Sequence, residues 1–299
     1  MSSITHRYTG ILTALPTPLD ADFDVDLPPL AAHIQRLAQA GTAGVVPLGG
    51  TGEYTSLSAA QRLRVVESSL EAANGALHVI PGILSPGLGD AVANAQAFVR
   101  AGARALMVVT PYYFRPTQEG IVEYFQRFSD AVDADIILYE IPYRTGVSLH
   151  YETVDRLADL TRVVGIKACN PDLAQQMRVA ELAKSKLAIL SGEEDVLPLH
   201  VAMGAVGGVI SSSNLVPRQW QQVLNLALDG QLAEAVALHA ALRPLIDAVF
   251  AEPNPAPLKA AMAQQGWGID PRVLPPMRAA SPELRERLAR VLPPVLARE

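Results

Sequence analysis

A lysine ends the apolar run Val163-Val164-Gly165-Ile166-Lys167. The run is too short for a helix and has the composition of a strand buried on both faces, where an ammonium group loses hydration and the neutral amine is favoured. An amine in that state attacks carbonyl carbon and forms a Schiff base that draws electrons from the neighbouring carbon. The plainer reading is that Lys167 snorkels past the strand end to a carboxylate such as Asp172. Polar chemistry also follows four other short apolar runs: Gly49-Gly50-Thr51-Gly52-Glu53, Thr110-Pro111-Tyr112-Tyr113, Tyr139 with Arg144 beyond it, and Ser191-Gly192-Glu193. Backbone amides in the glycine turn could bind an anion without a cationic side chain. The phenols of Tyr139 and Tyr113 could transfer protons, and the Arg144 guanidinium could grip a carboxylate. Singly, each has a structural explanation: a turn ahead of a helix opened by Ser58 with Gln61 completing a capping box, packed tyrosines, and a surface ion pair. Together with Lys167 they describe an amine, two proton carriers and two carboxylate-binding elements.

The elements that must position these groups follow from glycine-stopped helices. Ala40-Gly41 precedes Val45-Val46, Ala101-Gly102 precedes the run Leu106 to Val109, and Met203-Gly204 precedes Gly208-Val209-Ile210. Glycine ends a helix in a left-handed turn and the strand begins. Further apolar runs lie at Ile11 to Leu15, Val79-Ile80, Ile136 to Tyr139, Val163 to Ile166 and Leu187 to Leu190, separated by helical patterns. Eight strands alternating with helices predict a parallel sheet closed into a (β/α)8 TIM barrel over residues 1–213. The alternative, an open doubly wound sheet, lacks its phosphate loop: the first strand runs into Thr13-Ala14-Leu15-Pro16-Thr17-Pro18. Strand-like runs then stop, and residues 214–299 read as a C-terminal helical extension packed on the barrel. In such a barrel chemistry sits where strands end, which is where all five groups fall.

The 299 residues are 49% hydrophobic, enough for a sizeable core. A net charge of −6 and the lack of a Lys/Arg-rich block argue against nucleic-acid or anionic-membrane partners. Met1 to Gly10 carries no apolar leader segment and no run reaches transmembrane length, so a cytoplasmic protein is expected. The single cysteine, Cys169, and six scattered histidines predict no metal site.

These motifs resemble those of the pyruvate-dependent class I aldolases and lyases of the dihydrodipicolinate synthase and N-acetylneuraminate lyase type. The resemblance spans nearly the whole chain. It includes the motifs at 49–53, 110–120, Tyr139 with Pro142 and Arg144-Thr145-Gly146, Gly165-Ile166-Lys167, Ser191-Gly192-Glu193, 208–211 and Glu252-Pro253-Asn254-Pro255 with Pro257 and Lys259. It implies a barrel with a helical extension, assembled as a homotetramer of two tight dimers, with no cofactor beyond the covalent lysine imine.

The resemblance also implies roles. Lys167 would form the imine with pyruvate, and Tyr139 would shuttle protons. Gly50 and Thr51 would hold the keto-acid carboxylate, Tyr113 would reach into the partner's site, and Ile210 would lie against Lys167. Arg144 would grip the carboxylate of aspartate semialdehyde, giving the 4-hydroxy-tetrahydrodipicolinate synthase reaction of lysine biosynthesis. Two departures stand against a simple transfer. The synthases usually carry a threonine at the place of Gly50, and the run Gly-Gly-Thr-Gly-Glu-Tyr is more similar to keto-deoxyglucarate dehydratases. An aldolase or dehydratase of a 2-keto-3-deoxy sugar acid is therefore the alternative. Where lysine-inhibited synthases carry histidine, asparagine and glutamate, this chain has Ala59 or Arg62, Pro86 and Asp90, so weak or absent lysine inhibition is expected. A barrel that only binds a keto acid would need neither a desolvated amine nor two phenols.

Overall fold

The computed structural model describes residues 6–299, so the first five residues of the Met1 to Gly10 stretch, where no apolar leader is expected, lie outside the described residues. Nine short parallel strands form one sheet: β1 (Gly10–Ala14), β2 (Gly44–Val46), β3 (His78–Val79), β4 (Gly82–Ile83), β5 (Ala105–Val109), β6 (Asp135–Glu140), β7 (Val163–Ala168), β8 (Ala188–Ser191) and β9 (Gly207–Ile210). Their order is β3-β2-β1-β9-β8-β7-β6-β5-β4. The two ends of that order are neighbours in the chain, separated only by Ile80-Pro81. The Ile80 N–H donates to Val45 O at 2.9 Å, Gly82 N–H to Pro47 O at 2.9 Å and Met107 N–H to Pro81 O at 2.9 Å. Hydrogen bonding therefore crosses the break and the barrel closes.

Eight strands are expected and nine are found because the third is divided. Pro81 has no N–H for the ladder. Gly82 allows a further close approach, since a Cβ there would stand 2.4 Å from the Leu48 carbonyl oxygen.

Strand residues alternate between two apolar layers, as a period of two requires. Leu12, Ala14, Val46, Met107, Ile137, Tyr139, Leu190 and Val209 fill the barrel. Val45, Leu106, Val108, Ile136, Leu138 and Ile166 pack outward with Ile34, Val66, Phe98, Phe125 and Phe128 of the helices. With Leu138 and Ile166 outside, Tyr139 and Lys167 are inside. The glycine stops are present: Gly102 and Gly204 end their helices in the left-handed region.

Helix Pro217–Leu228 follows β9 and packs on β1, and helices Leu232–Val249, Ala256–Gln264 and Pro282–Leu296 come after it. They share a core with Ile11 and Leu197 of the barrel, built around Trp220, Leu245, Leu258 and Leu288. No described helix is long and apolar enough to cross a membrane. No group of three or more His, Cys, Asp or Glu among the described residues is placed to hold a metal ion.

Candidate active site

Tyr139 and Lys167 are register partners on adjacent strands β6 and β7. Lys167 Nζ lies 4.4 Å from the centroid of the Tyr139 ring. Only 8% of Lys167 is exposed, and burial holds its pKa below the usual lysine value, with Arg144 acting in the same direction and Cys169 and Glu193 against it. Lys167 takes part in no ion pair among the described residues. The snorkelling alternative fails: Asp172 caps helix Leu173–Ala183, accepting from the Ala174 and Gln175 N–H groups. Burial pushes the Tyr139 phenol above the usual tyrosine range, so it keeps its proton at neutral pH.

The glycine turn faces this pair. Gly52 N–H donates to Gly49 O at 3.1 Å and Glu53 N–H to Gly50 O at 3.2 Å, while none of the described backbone hydrogen bonds uses the amides of Gly50 or Thr51. A side chain at position 52 is impossible without rearrangement, since its Cβ would stand 2.5 Å from Leu48 N. The capping box is also present, Ser58 and Gln61 opening the next helix. The turn therefore ends one loop, starts one helix and still leaves two amides for an anion.

Gly50, Thr51, Tyr139, Arg144, Lys167, Cys169, Gly192 and Asn254 line a pocket of about 50 Å³. A second cavity of about 230 Å³ shares Gly50, Tyr139, Ile141, Arg144 and Asn254 with it and extends past Tyr54, Tyr112 and Met277. A larger groove, about 1000 Å³, lies between helices Leu27–Gln39 and Ala59–Ala73 and touches none of these groups. Arg144 leans over the glycine turn: a Cβ on Gly50 would be 3.4 Å from its Nη1.

Two expected residues stand apart. Tyr113 is 84% exposed and its neighbour Phe114 81%, their rings packed edge to face at 5.3 Å. The Ile210 side chain does not lie against Lys167. It belongs to the layer between barrel and helices with Ile11, Leu197 and Trp220, because alternation turns Val209 inward and its neighbour outward.

Three lining groups carry no role in the sequence reading. Cys169 follows Lys167 by two residues and so shares its face, a signal present in the strand parity. Its thiol lies so close to Gly192 that a Cβ there would stand 2.0 Å from Sγ. Asn254 arrives from the helical extension, and its Nδ2 donates to Ser211 Oγ at 3.0 Å. Tyr143 donates from Oη to Glu193 Oε1 at 3.0 Å.

Residues 7–294 match the dihydrodipicolinate synthetase family. The 4-hydroxy-tetrahydrodipicolinate synthase of Methanothrix thermoacetophila is 36% identical over 269 residues, covering 90% of each chain. The chain belongs to the dihydrodipicolinate synthetase family. The dihydrodipicolinate synthase structure from Thermotoga maritima superposes with a TM-score of 0.93 at 33% identity, covering 97% of this chain and 99% of that one. The pyruvate-complexed dihydrodipicolinate synthase from Acinetobacter baumannii gives 0.91 at 30% identity, covering 95% and 97%. Within the dihydrodipicolinate synthetase family fold, the place of the missing threonine side chain at Gly50 is covered by the Arg144 guanidinium.

Proposed function

We propose that this chain condenses pyruvate with aspartate semialdehyde through an imine on Lys167, the 4-hydroxy-tetrahydrodipicolinate synthase reaction. The observation that carries the reading is the buried Lys167 amine against Tyr139, in a pocket flanked by the free Gly50 and Thr51 amides and by Arg144. The relatives' name and the pyruvate-bound neighbour support the same reaction.

The neutral Lys167 amine attacks the keto carbon of pyruvate, and water leaves as the imine forms. The keto-acid carboxylate sits on the amides of Gly50 and Thr51. Tyr139, its phenol held protonated at rest by burial, donates to the departing hydroxyl. The imine acidifies the methyl group, whose proton returns to the Tyr139 oxygen and leaves an enamine. As the enamine bonds to the aldehyde carbon, Tyr139 protonates the new alkoxide and then takes a proton from the product's ammonium group. Arg144 binds the second substrate's carboxylate. The amino group of the condensed product then attacks the imine carbon and releases Lys167, so the cycle uses no cofactor.

A second reading, dehydration or cleavage of a 2-keto-3-deoxy sugar acid by the same imine, is favoured by Gly50, which removes the relay hydroxyl. Assembly into a homotetramer in the cytoplasm is part of the proposal. The exposed Tyr113-Phe114 pair supports the assembly, since Tyr113 is free to enter a neighbouring site. Weak or absent inhibition by lysine is part of the proposal, since Arg62 lies 4.2 Å over the Tyr54 ring and Asp90 accepts from Ser85 at the corresponding positions.

The test is incubation with pyruvate and borohydride, followed by intact mass and peptide mapping. A reduced pyruvate on Lys167 supports the imine, and aspartate semialdehyde is then the first aldehyde to assay. No adduct with pyruvate, but one with a 2-keto-3-deoxy sugar acid, selects the second reading.

A further inference from the structure

Tyr143, which lines the pocket, and Glu193, next to the lining residue Gly192, stand on the loops after β6 and β8, the two neighbours of β7 in the sheet. Their hydrogen bond at 3.0 Å ties those two loops together. The Glu193 carboxylate is partly buried there, and its charge acts on Tyr139, Lys167 and Cys169. Arg144, next to Tyr143 in the chain, acts on Tyr139 and Lys167 with the opposite sign. Its guanidinium rests on the Gly50 side of the pocket.

Neither Arg144 nor Glu193 joins any ion pair among the described residues, with each other or with anything else. An exposed cation and a half-buried anion beside one pocket, neither held in an ion pair, leave both charges open to a ligand that carries their opposites. The complementary ligand carries a carboxylate and an ammonium, as the α-amino-acid end of a molecule does.

We propose that Glu193, oriented by the Tyr143 hydroxyl, receives the α-ammonium group of the aldehyde substrate while Arg144 holds its α-carboxylate. This rests on the reading of the second substrate given above and adds to it the group that selects an amino-acid semialdehyde. Glu193 is then a specificity determinant, and Tyr143 a positioning residue acting through it. An aldehyde acid of the same length without the amino group leaves Glu193 unmatched.

The discriminating experiment compares aspartate semialdehyde with succinate semialdehyde, which lacks only the α-amino group. Succinate semialdehyde has no amino group to release Lys167, so it is read as an inhibitor competing with aspartate semialdehyde, and turnover of aspartate semialdehyde is followed with the wild type, Glu193→Gln and Tyr143→Phe. The wild type is expected to hold succinate semialdehyde more weakly than aspartate semialdehyde. Glu193→Gln should lower kcat/KM for it about ten- to a hundredfold, the loss of one charge-assisted hydrogen bond. It should leave the inhibition constant of succinate semialdehyde and the KM for pyruvate within about twofold, a change inside the context-dependence of single contacts. Tyr143→Phe, a change at an exposed side chain, should reduce the preference partially. Discrimination that survives in Glu193→Gln, or equal losses on both aldehydes, overturns the inference alone. If Glu193→Gln does not fold, an unchanged preference in Tyr143→Phe overturns it. A wild type that forms the pyruvate adduct and does not turn over aspartate semialdehyde overturns the substrate reading and this inference with it.

Discussion

Glu53 and Lys259, 206 positions apart in the chain, form a buried ion pair with Nζ 2.5 Å from Oε1. Each partner has a second tie: Lys259 Nζ donates to Arg272 O at 2.9 Å, and Leu274 N–H donates to the other Glu53 oxygen at 2.7 Å. Glu53 ends the glycine turn that carries Gly50 and Thr51. The pair therefore fastens the helical extension to the anion-binding loop.

Removing one partner strands the other charge in the core. Lys259→Met and Glu53→Gln are each expected to destabilise by about 3–5 kcal/mol, while the double variant costs less than their sum. Denaturant unfolding of the singles and the double measures this coupling directly.

Tyr139→Phe keeps the ring beneath Lys167 and deletes the proton. kcat should fall about 10²- to 10⁴-fold, with the pyruvate adduct still trapped by borohydride. Wild-type turnover in this variant would remove Tyr139 from proton transfer.

Arg144→Ala should raise KM for an acidic aldehyde about tenfold or more and leave KM for pyruvate within a factor of two, because a charge-assisted carboxylate contact is lost at one substrate only. Steady-state kinetics with each substrate varied in turn separates the two. Equal effects on both would place the guanidinium away from the aldehyde.

At Gly50 the structure revises a simple expectation. A relay hydroxyl added by Gly50→Thr would favour synthase activity if nothing stood there, but the Arg144 guanidinium does. The first carbon makes ordinary contact at 3.4 Å, and the outer threonine atoms must push Arg144 aside. Gly50→Ala should be nearly neutral, whereas Gly50→Thr should raise KM for the aldehyde about tenfold, the scale of one lost contact of about 1.4 kcal/mol.

His33 makes folding stability depend on pH. Its Nε2 lies 2.9 Å from Asn214 Oδ1, and because Asn214 Nδ2 already donates to Ala14 O and Ser211 O, the histidine must be the donor. Arg36 donates to Nδ1, leaving no place for a second ring proton. Burial, with Arg36 nearby, depresses the pKa to about 4. Between that value and the unfolded value of about 6.5 the unfolded chain binds more protons, so stability rises with pH there and is lost as pH falls from about 6.5 to about 4. The loss approaches about 3 kcal/mol for this one group. Unfolding free energies at pH 7 and pH 4.5 should differ less in His33→Gln than in the wild type.

The strand positions are legible because apolar runs and helix-stopping glycines are local signals. Lys167 and Tyr139 share that legibility, since their parity against Ile166 and Leu138 already turns them inward. Val79-Ile80 conceals the divided strand, because the interruption comes from Pro81 just beyond it. Ile210 is misplaced for want of the same parity argument: Val209 takes the inward position. The Tyr143–Glu193 bond and the arrival of Asn254 and Lys259 are beyond local pattern. They join segments separated by 43 to 206 residues, and only closure of the barrel brings these together.

The seam of that closure has a consequence for synthesis on the ribosome. β1 pairs with β9, from Gly10 with Gly207 to Thr13 with Ile210, and Ile11 is buried among residues supplied from Leu197 onward. The first strand to be translated waits for the last. Until some two hundred further residues have emerged, a nascent chain exposes an apolar strand with one unpaired edge, the kind of surface that associates with other chains. Truncated or stalled translation products are therefore expected to be aggregation-prone whatever the stability of the finished enzyme.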